Sequence, residues 1–212
     1  MQSQSPIIDM NTIRSVCVYC GSSPGRDEIH AKAGHLLGRS IARSGLRLVY
    51  GGGTKGIMGA VAEGALKAGG KVTGIIPRFL ISKEATETAL GQLDELLITE
   101  NMHERKHRMF EKSDAFVALP GGIGTVEEIV EIMTWAQLGH HRKPIVFGNV
   151  GGFWDPMLVL LDHMAAEGFI HTAQRVKPLV VNDPEAIVAA IMVAGSSVDA
   201  PTDGVRSVID KM

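Results

Sequence analysis

The residues best suited to chemistry lie in the segment Pro120–Glu128, which is PGGIGTVEE. Three glycines, a threonine hydroxyl and two adjacent carboxylates follow one another there, at a predicted turn from a strand into a helix. Backbone amides at the start of a helix attract anions. The carboxylates Glu127 and Glu128 can stabilise positive charge or activate a water molecule. The segment therefore predicts an anion site next to two carboxylates.

Glu128 also has a structural interpretation, because Thr125 and Glu128 have the spacing of a capping box. In a helix over 125–138, apolar periodicity predicts a buried face formed by Val126, Ile129, Val130, Met133 and Ala136. Both carboxylates would then overhang the mouth of a crevice at the edge of the sheet.

A second unusual segment is NMHERKHRMFEK, over 101–112, in which Asn101 can cap a helix. Arg105 and Lys106 fall on the same helical arc as Met102 and Met109. Buried cations need an anionic partner, so we expect a ligand phosphate or a carboxylate such as Glu128 nearby. The alternative is that both side chains snorkel over a neighbouring helix.

Two metal-like patterns are weak. His103 and His107 form H-E-x-x-H with Glu127 as a possible third zinc ligand, but the adjacent cations disfavour a metal there. Cys17 and Cys20 form C-x-x-C inside a predicted strand, where the two side chains face opposite sides, which predicts buried thiols. We expect neither a metal nor a cofactor.

The segment Gly51–Gly56 fits G-x-G-x-x-G between a predicted strand and a predicted helix. The next strand ends without the acidic residue of an NAD site, and no Gly-Lys-Ser/Thr follows as in a Walker A loop. We interpret the turn as part of a monophosphate or nucleotide pocket. The alternative is that its glycines serve only a tight turn and close helix packing.

These turns belong to an alternation of short apolar strands and longer amphipathic helices. The pattern predicts a single α/β domain over 13–194: a doubly wound, Rossmann-like parallel sheet with helices on both faces. In such sheets ligands bind at the carboxyl ends of strands where the strand order reverses. Residues 1–12 and 195–212 are expected to be flexible ends. The predicted strands are 14–20, 46–50, 71–76, 96–99, 115–119, 144–149 and 178–181, and the predicted helices are 28–44, 56–69, 101–112, 125–138, 154–167 and 184–194.

Composition excludes several classes of protein. The chain has 212 residues and a formal net charge of −2, which disfavours coating of nucleic acid. No apolar run is long enough for a membrane span, and the first residues do not resemble a signal peptide. With only two cysteines, the sequence indicates a reduced, cytoplasmic protein.

Five segments together closely resemble the LOG (LONELY GUY) family, whose members were formerly labelled lysine decarboxylase-like. The resemblance extends over about residues 13–190. No lysine stands in a sequence context typical of a pyridoxal Schiff base, so the older label has no chemical support. The segments are Cys20–Ser23, Gly51–Gly59, Met102–Lys106, Pro120–Glu128 and Thr134–Gly139.

The resemblance implies cytokinin riboside 5′-monophosphate phosphoribohydrolase activity, with Arg105 and Glu128 as catalytic residues and a nucleoside monophosphate as substrate. It also implies a homodimer. Cleavage of an N-glycosidic bond passes through an oxocarbenium-like ribose, which a carboxylate can stabilise without a metal. The alternative is a carrier of molybdenum cofactor or a nucleotide sensor of the same fold. By the resemblance or their place in the glycine turns, the expected substrate-binding residues are Ser22, Gly51, Gly52, Gly53, Glu84, Met102, Lys106, Gly121, Gly122, Ile123, Gly124, Thr125, Glu127 and Thr134.

Overall fold

Seven strands form one parallel sheet in the computed structural model, which describes residues 13–170 and 177–197. Within these residues the strand order is β4-β3-β2-β1-β5-β6-β7. The predicted doubly wound α/β sheet is confirmed. Of the predicted flexible ends, 1–12 and 195–212, residues 195–197 belong to the last helix and the remainder lies outside the described residues. The strands are β1 (Ser15–Tyr19), β2 (Arg47–Tyr50), β3 (Lys71–Pro77), β4 (Glu95–Thr99), β5 (Ala115–Ala118), β6 (Ile145–Gly148) and β7 (Leu179–Val181).

All six predicted helices are present, and two short helices fill the connection between β3 and β4. Each of these two is only four residues long, so the sequence offers no helical period from which to predict them. Short 3-10 turns occur at Arg78–Leu80 and Val150–Gly152. The helices are α1 (Glu28–Arg43), α2 (Gly56–Lys67), α3 (Ile81–Glu84), α4 (Glu87–Leu90), α5 (Met102–Glu111), α6 (Ile123–Gln137), α7 (Asp155–Ala166) and α8 (Ile187–Ser197).

Helix α6 begins earlier than predicted, and this changes the interpretation of Glu128. Its N-cap is Gly122, so Thr125 is the third residue of the helix and cannot form a capping box with Glu128. The predicted buried face is also partly wrong, because Val130 is exposed while Thr125 and Glu128 are buried. A pattern based on apolar residues cannot assign two polar side chains to the buried face, and here both belong to it.

The sheet separates two apolar layers, one packed with α1, α2 and α8 and the other with α5, α6 and α7. Cys17 and Cys20 lie in opposite layers, as predicted, and both are free, buried thiols. Burial raises the pKa of each thiol well above its usual value, so neither is a reactive thiolate. None of the described helices is long and apolar enough to cross a membrane.

The strand order reverses between β1 and β5, which brings together the turns that follow these two strands. The N–H of Gly21 donates to the carbonyl of Pro120 at 3.0 Å. The Pro120–Glu128 segment therefore lies at the switch point of the sheet, where ligands bind in this class of fold.

Candidate active site

A cavity of about 240 Å³ opens at this switch point. It collects side chains from segments that are far apart in the chain, all of which meet at the carboxyl ends of the strands. The lining residues are Cys20, Gly21 and Ser22 after β1, Met58 of α2, Leu80 and Glu84 of the β3–β4 connection, Met102 and Arg105 of α5, and Gly122, Gly124, Thr125, Glu127 and Glu128 of α6 and its cap.

Arg105 and Glu128 face each other in the wall of the cavity. Arg105 Nη2 lies 3.6 Å from Glu128 Oε1, and both side chains are less than one-tenth exposed. Burial raises the pKa of Glu128 to about 7, and this effect outweighs the opposite effect of Arg105. The carboxyl group can therefore gain or lose a proton near neutral pH.

The guanidinium of Arg105 has few partners apart from Glu128. Its Nη1 approaches Met102 Sδ at 3.8 Å, and its buried Nε has no hydrogen-bond partner. Buried guanidinium N–H groups normally find acceptors. The side chain thus retains donors for an anionic or hydroxyl-bearing ligand.

The second inward cation, Lys106, has carboxylate partners. Its Nζ pairs with Glu127 and, at 3.1 Å, with Glu131, both on α6. Burial lowers the pKa of Lys106, but these two hydrogen bonds raise it more, so the pKa lies above its usual value and the amine stays protonated. Arg105 and Lys106 are both buried and paired with acids, so the snorkelling alternative is wrong.

The start of α6 presents free backbone amides to the cavity. The N-cap Gly122 offers no side-chain oxygen. Among the described residues, the N–H groups of Ile123, Gly124 and Thr125 have no acceptor. A Cβ at Gly122 or Gly124 would meet no atom within 4 Å, so open space adjoins these amides. This arrangement suits a phosphate oxygen.

The sequence is similar to a family described as "Possible lysine decarboxylase", whose model matches residues 58–191. The cytokinin riboside 5′-monophosphate phosphoribohydrolase of Rhodococcoides fascians is 46% identical over 180 residues, covering 85% of this chain and 90% of that protein. The rice (Oryza sativa subsp. japonica) phosphoribohydrolase LOG is 44% identical over 173 residues, covering 82% of this chain and 69% of that protein. The chain belongs to the LOG family.

Solved structures of more distant proteins share the fold of this LOG-family chain. The molybdenum cofactor carrier protein of Chlamydomonas reinhardtii superposes with a TM-score of 0.65 at 20% identity, covering 87% of this chain and 99% of that one. A molybdenum cofactor binding protein of Rippkaea orientalis gives a TM-score of 0.63 at 20% identity, covering 89% and 99%. At this identity the likeness concerns the fold alone.

The other glycine turn of the LOG-family chain, Gly51–Gly56, uses its amides within the protein. The N–H of Thr54 donates to the carbonyl of Glu84 at 2.8 Å. The N–H groups of Ile57 and Met58, at the start of α2, donate to the carbonyl of Gly21 at 3.0 and 3.2 Å. Gly51, Gly52 and Gly53 do not line the cavity. This geometry supports the alternative interpretation of the turn, which is tight packing.

The structure brings most other candidate residues to the cavity. Ser22, Glu84 and Met102 line it, and one buried oxygen of Glu84 has no hydrogen-bond partner. Gly121 lies directly behind the wall, where a Cβ would overlap the hydroxyl of Thr125. Ile123 is 85% exposed and adjoins the lining residues Gly122 and Gly124.

Thr134 lies elsewhere. It is exposed on α6, donates its hydroxyl to the carbonyl of Val130 at 2.8 Å, and borders a separate groove between α6 and α7. Sequence reasoning also missed four residues in the cavity wall, which are Cys20, Gly21, Met58 and Leu80. Leu80 lies in the connection for which no element was predicted. Met58 lies within a recognised motif, and only the fold shows that its side chain reaches the cavity.

The H-E-x-x-H pattern does not form a cluster. His103 and His107 are exposed, His107 pairs with Glu111, and Glu127 pairs with Lys106. Over residues 13–170 and 177–197, no three His, Cys, Asp or Glu side chains are arranged to hold a metal ion.

Proposed function

We propose that this chain hydrolyses the N-glycosidic bond of N6-substituted adenosine 5′-monophosphates and releases the free base and ribose 5-phosphate. The names of its relatives in the LOG family support the proposal. One observation carries it: the buried Arg105–Glu128 pair and the open amides of α6 face the same cavity.

The phosphate binds at the start of α6. The amides of Ile123, Gly124 and Thr125 and the partial positive charge of the helix terminus supply donors for its oxygens. Arg105 adds a positive charge in the same cavity. Held at this end, the nucleotide places its ribose near Glu128, which lies one turn further along α6.

The ionised carboxylate of Glu128 stabilises the positive charge that develops on the ribose as the bond from C1′ to the base breaks. The hydroxide part of a water molecule then forms the new bond to C1′, and the water's proton balances the charge left on the departing base. Arg105 favours the ionised form of Glu128 and orients it.

The rival function, carriage of molybdenum cofactor without turnover, finds less support in the cavity. A binding protein has no need of a buried carboxyl group with a pKa near 7, because burial of such a group costs stability. A catalytic role for the carboxyl group would explain why this loss of stability is retained.

The proposal includes a homodimer. Two apolar side chains that line the groove with Thr134 are exposed: Val130 of α6 and Met164 of α7. If Thr134 contacts substrate, as the family resemblance implies, a second copy packed on this face would bring it to a shared site. We also infer a cytosolic location, which suits two free thiols.

The test is incubation of the purified protein with AMP and with isopentenyl-AMP. We expect ribose 5-phosphate and the matching free base in equal amounts, released at least about 100-fold more slowly by Glu128→Gln. A wild-type protein that binds either nucleotide by calorimetry but releases no ribose 5-phosphate would support the carrier function instead.

A further inference from the structure

Gly51, the first residue after β2, packs directly against the guanidinium of Arg105. Its backbone φ lies outside the left-handed region, unlike that of Gly52 at +75° and Gly56 at +60°. An alanine at position 51 is therefore compatible with the backbone. Its Cβ, however, would overlap Arg105 Nη2 and would lie 3.0 Å from Arg105 Cζ. Space for Arg105, and not backbone freedom, is what requires glycine here.

An alanine at position 51 would displace the guanidinium nitrogen that lies nearest to Glu128. Nη2 is the nitrogen that faces Glu128 Oε1 at 3.6 Å. Few hydrogen bonds fix the guanidinium, because Nε has no partner and Nη1 has only the weak sulfur contact with Met102. Packing against Gly51 therefore has a large share in setting where the charge lies.

We propose that Gly51 is a positioning residue for Arg105, and that its missing side chain allows the guanidinium to sit beside Glu128. The inference rests on the proposed phosphoribohydrolase activity and deepens it. It also gives the Gly51–Gly56 turn a function in catalysis, although none of its first three glycines reaches the cavity surface.

A displaced guanidinium changes the chemistry of Glu128 in a predictable direction. Arg105 lowers the pKa of Glu128, so moving its charge away raises that pKa and leaves less ionised carboxylate at neutral pH. The other charged groups that act on Glu128 remain in place. These are Glu84 of α3, Lys106 of α5 and Glu127 of α6, while the nearby Tyr19, Cys17 and Cys20 of β1 and its following turn stay neutral.

The experiment is a double-mutant cycle with Gly51→Ala, Arg105→Ala and the double variant, assayed by release of ribose 5-phosphate. In Gly51→Ala we expect kcat to fall at least about 30-fold with a smaller rise in KM, below about tenfold, because the charge of Arg105 moves but the α6 amides are untouched. The acidic limb of its pH profile should move to higher pH. In the Arg105→Ala background the same glycine substitution should change kcat by less than about twofold.

Gly91→Ala serves as the matched control. Gly91 has a helical backbone, and a Cβ there meets nothing closer than 3.5 Å. It should retain wild-type kinetics. Equal losses from Gly51→Ala in both backgrounds, or no loss in either, would overturn the proposal.

Two further measurements separate possible failures. If Gly51→Ala does not fold, the double variant should recover a cooperative melting transition, because the clash has been removed; continued failure to fold would refute the role assigned to Gly51. If the wild type cleaves no nucleotide, the proposed function fails. A crystal structure of Gly51→Ala would still decide the positioning role by showing whether the guanidinium moves.

Discussion

Glu128 is buried beside a permanent positive charge, yet its pKa is raised to about 7. Desolvation therefore has a larger effect on this carboxyl group than its ion pair does. A carboxylate that acts on a positively charged ribose gains from this environment, because charge interactions are stronger where water is excluded. With a pKa of about 7, the Glu128 carboxyl group changes between its active ionised form and its inactive protonated form close to neutral pH.

We predict that Glu128→Gln lowers kcat by a factor of about 100 or more, since the amide cannot carry the negative charge. For the wild type, kcat/KM should fall as the pH drops below about 7, because protonation removes the active form. Initial rates between pH 5 and pH 9 provide the measurement. A flat wild-type profile with an active glutamine variant would remove Glu128 from the mechanism.

Melting curves of the same variant test the burial cost. The pKa of Glu128 is about 7 in the folded protein and 4.5 in the unfolded chain. Between these two pH values the folded protein therefore binds a proton that the unfolded chain does not bind. Wild type should therefore gain stability relative to Glu128→Gln as the pH falls from 8 to 5. Melting temperatures of both proteins at pH 8 and at pH 5 show whether the relative stability of the wild type rises as expected.

At the scale of elements, the two glycine-rich turns look alike in sequence and differ in use. Helix α2 donates its first amides to the carbonyl of Gly21, whereas the first amides of α6 remain open to the cavity. We therefore assign the proposed anion site to α6.

This difference predicts strong selectivity for a 5′-phosphate. We expect the nucleoside monophosphate to exceed its riboside by at least about 100-fold in kcat/KM, because binding energy from the phosphate positions the distant ribose. Steady-state kinetics with isopentenyl-AMP and isopentenyladenosine provide the comparison. Equal rates for the two would contradict a phosphate site at α6, even in an active glycosidase.

The sequence predicted the strands well because buried parallel strands are apolar throughout, and those runs are short and distinct. It also predicted that Arg105 and Lys106 point inward and meet carboxylates. The prediction from sequence failed where the hydrogen-bonding partner of a backbone amide lies far away in the chain. Whether the amides of Ile57 and Met58 are free depends on the carbonyl of Gly21, and no local pattern encodes that pairing.

At the scale of the whole molecule, an apolar surface on α6 and α7 remains uncovered in the single chain. Val130 is 39% exposed and Met164 is 37% exposed, and both line the groove that contains Thr134. Exposed apolar side chains grouped in this way are typical of subunit interfaces.

We predict that Met164→Glu converts a homodimer into a monomer, because a carboxylate buried between subunits would lose its hydration. Sedimentation velocity gives the mass, and the phosphoribohydrolase assay shows whether activity depends on assembly. Met192→Glu, on an exposed site of α8 away from this face, is the control and should leave both unchanged. A wild-type monomer with full activity would argue against a shared site.

Helices α1 and α2 touch backbone to backbone at two glycines. A Cβ on Gly38 would overlap the carbonyl of Val61, and one on Gly64 would overlap the carbonyl of His35. The α2 helix held at this spacing begins at the cavity, where its amides meet Gly21. Amino-acid replacement is therefore restricted at two positions that do not line the cavity. In a library screened for altered substrate preference, variation at the cavity lining will be tolerated only in clones that keep both of these remote glycines.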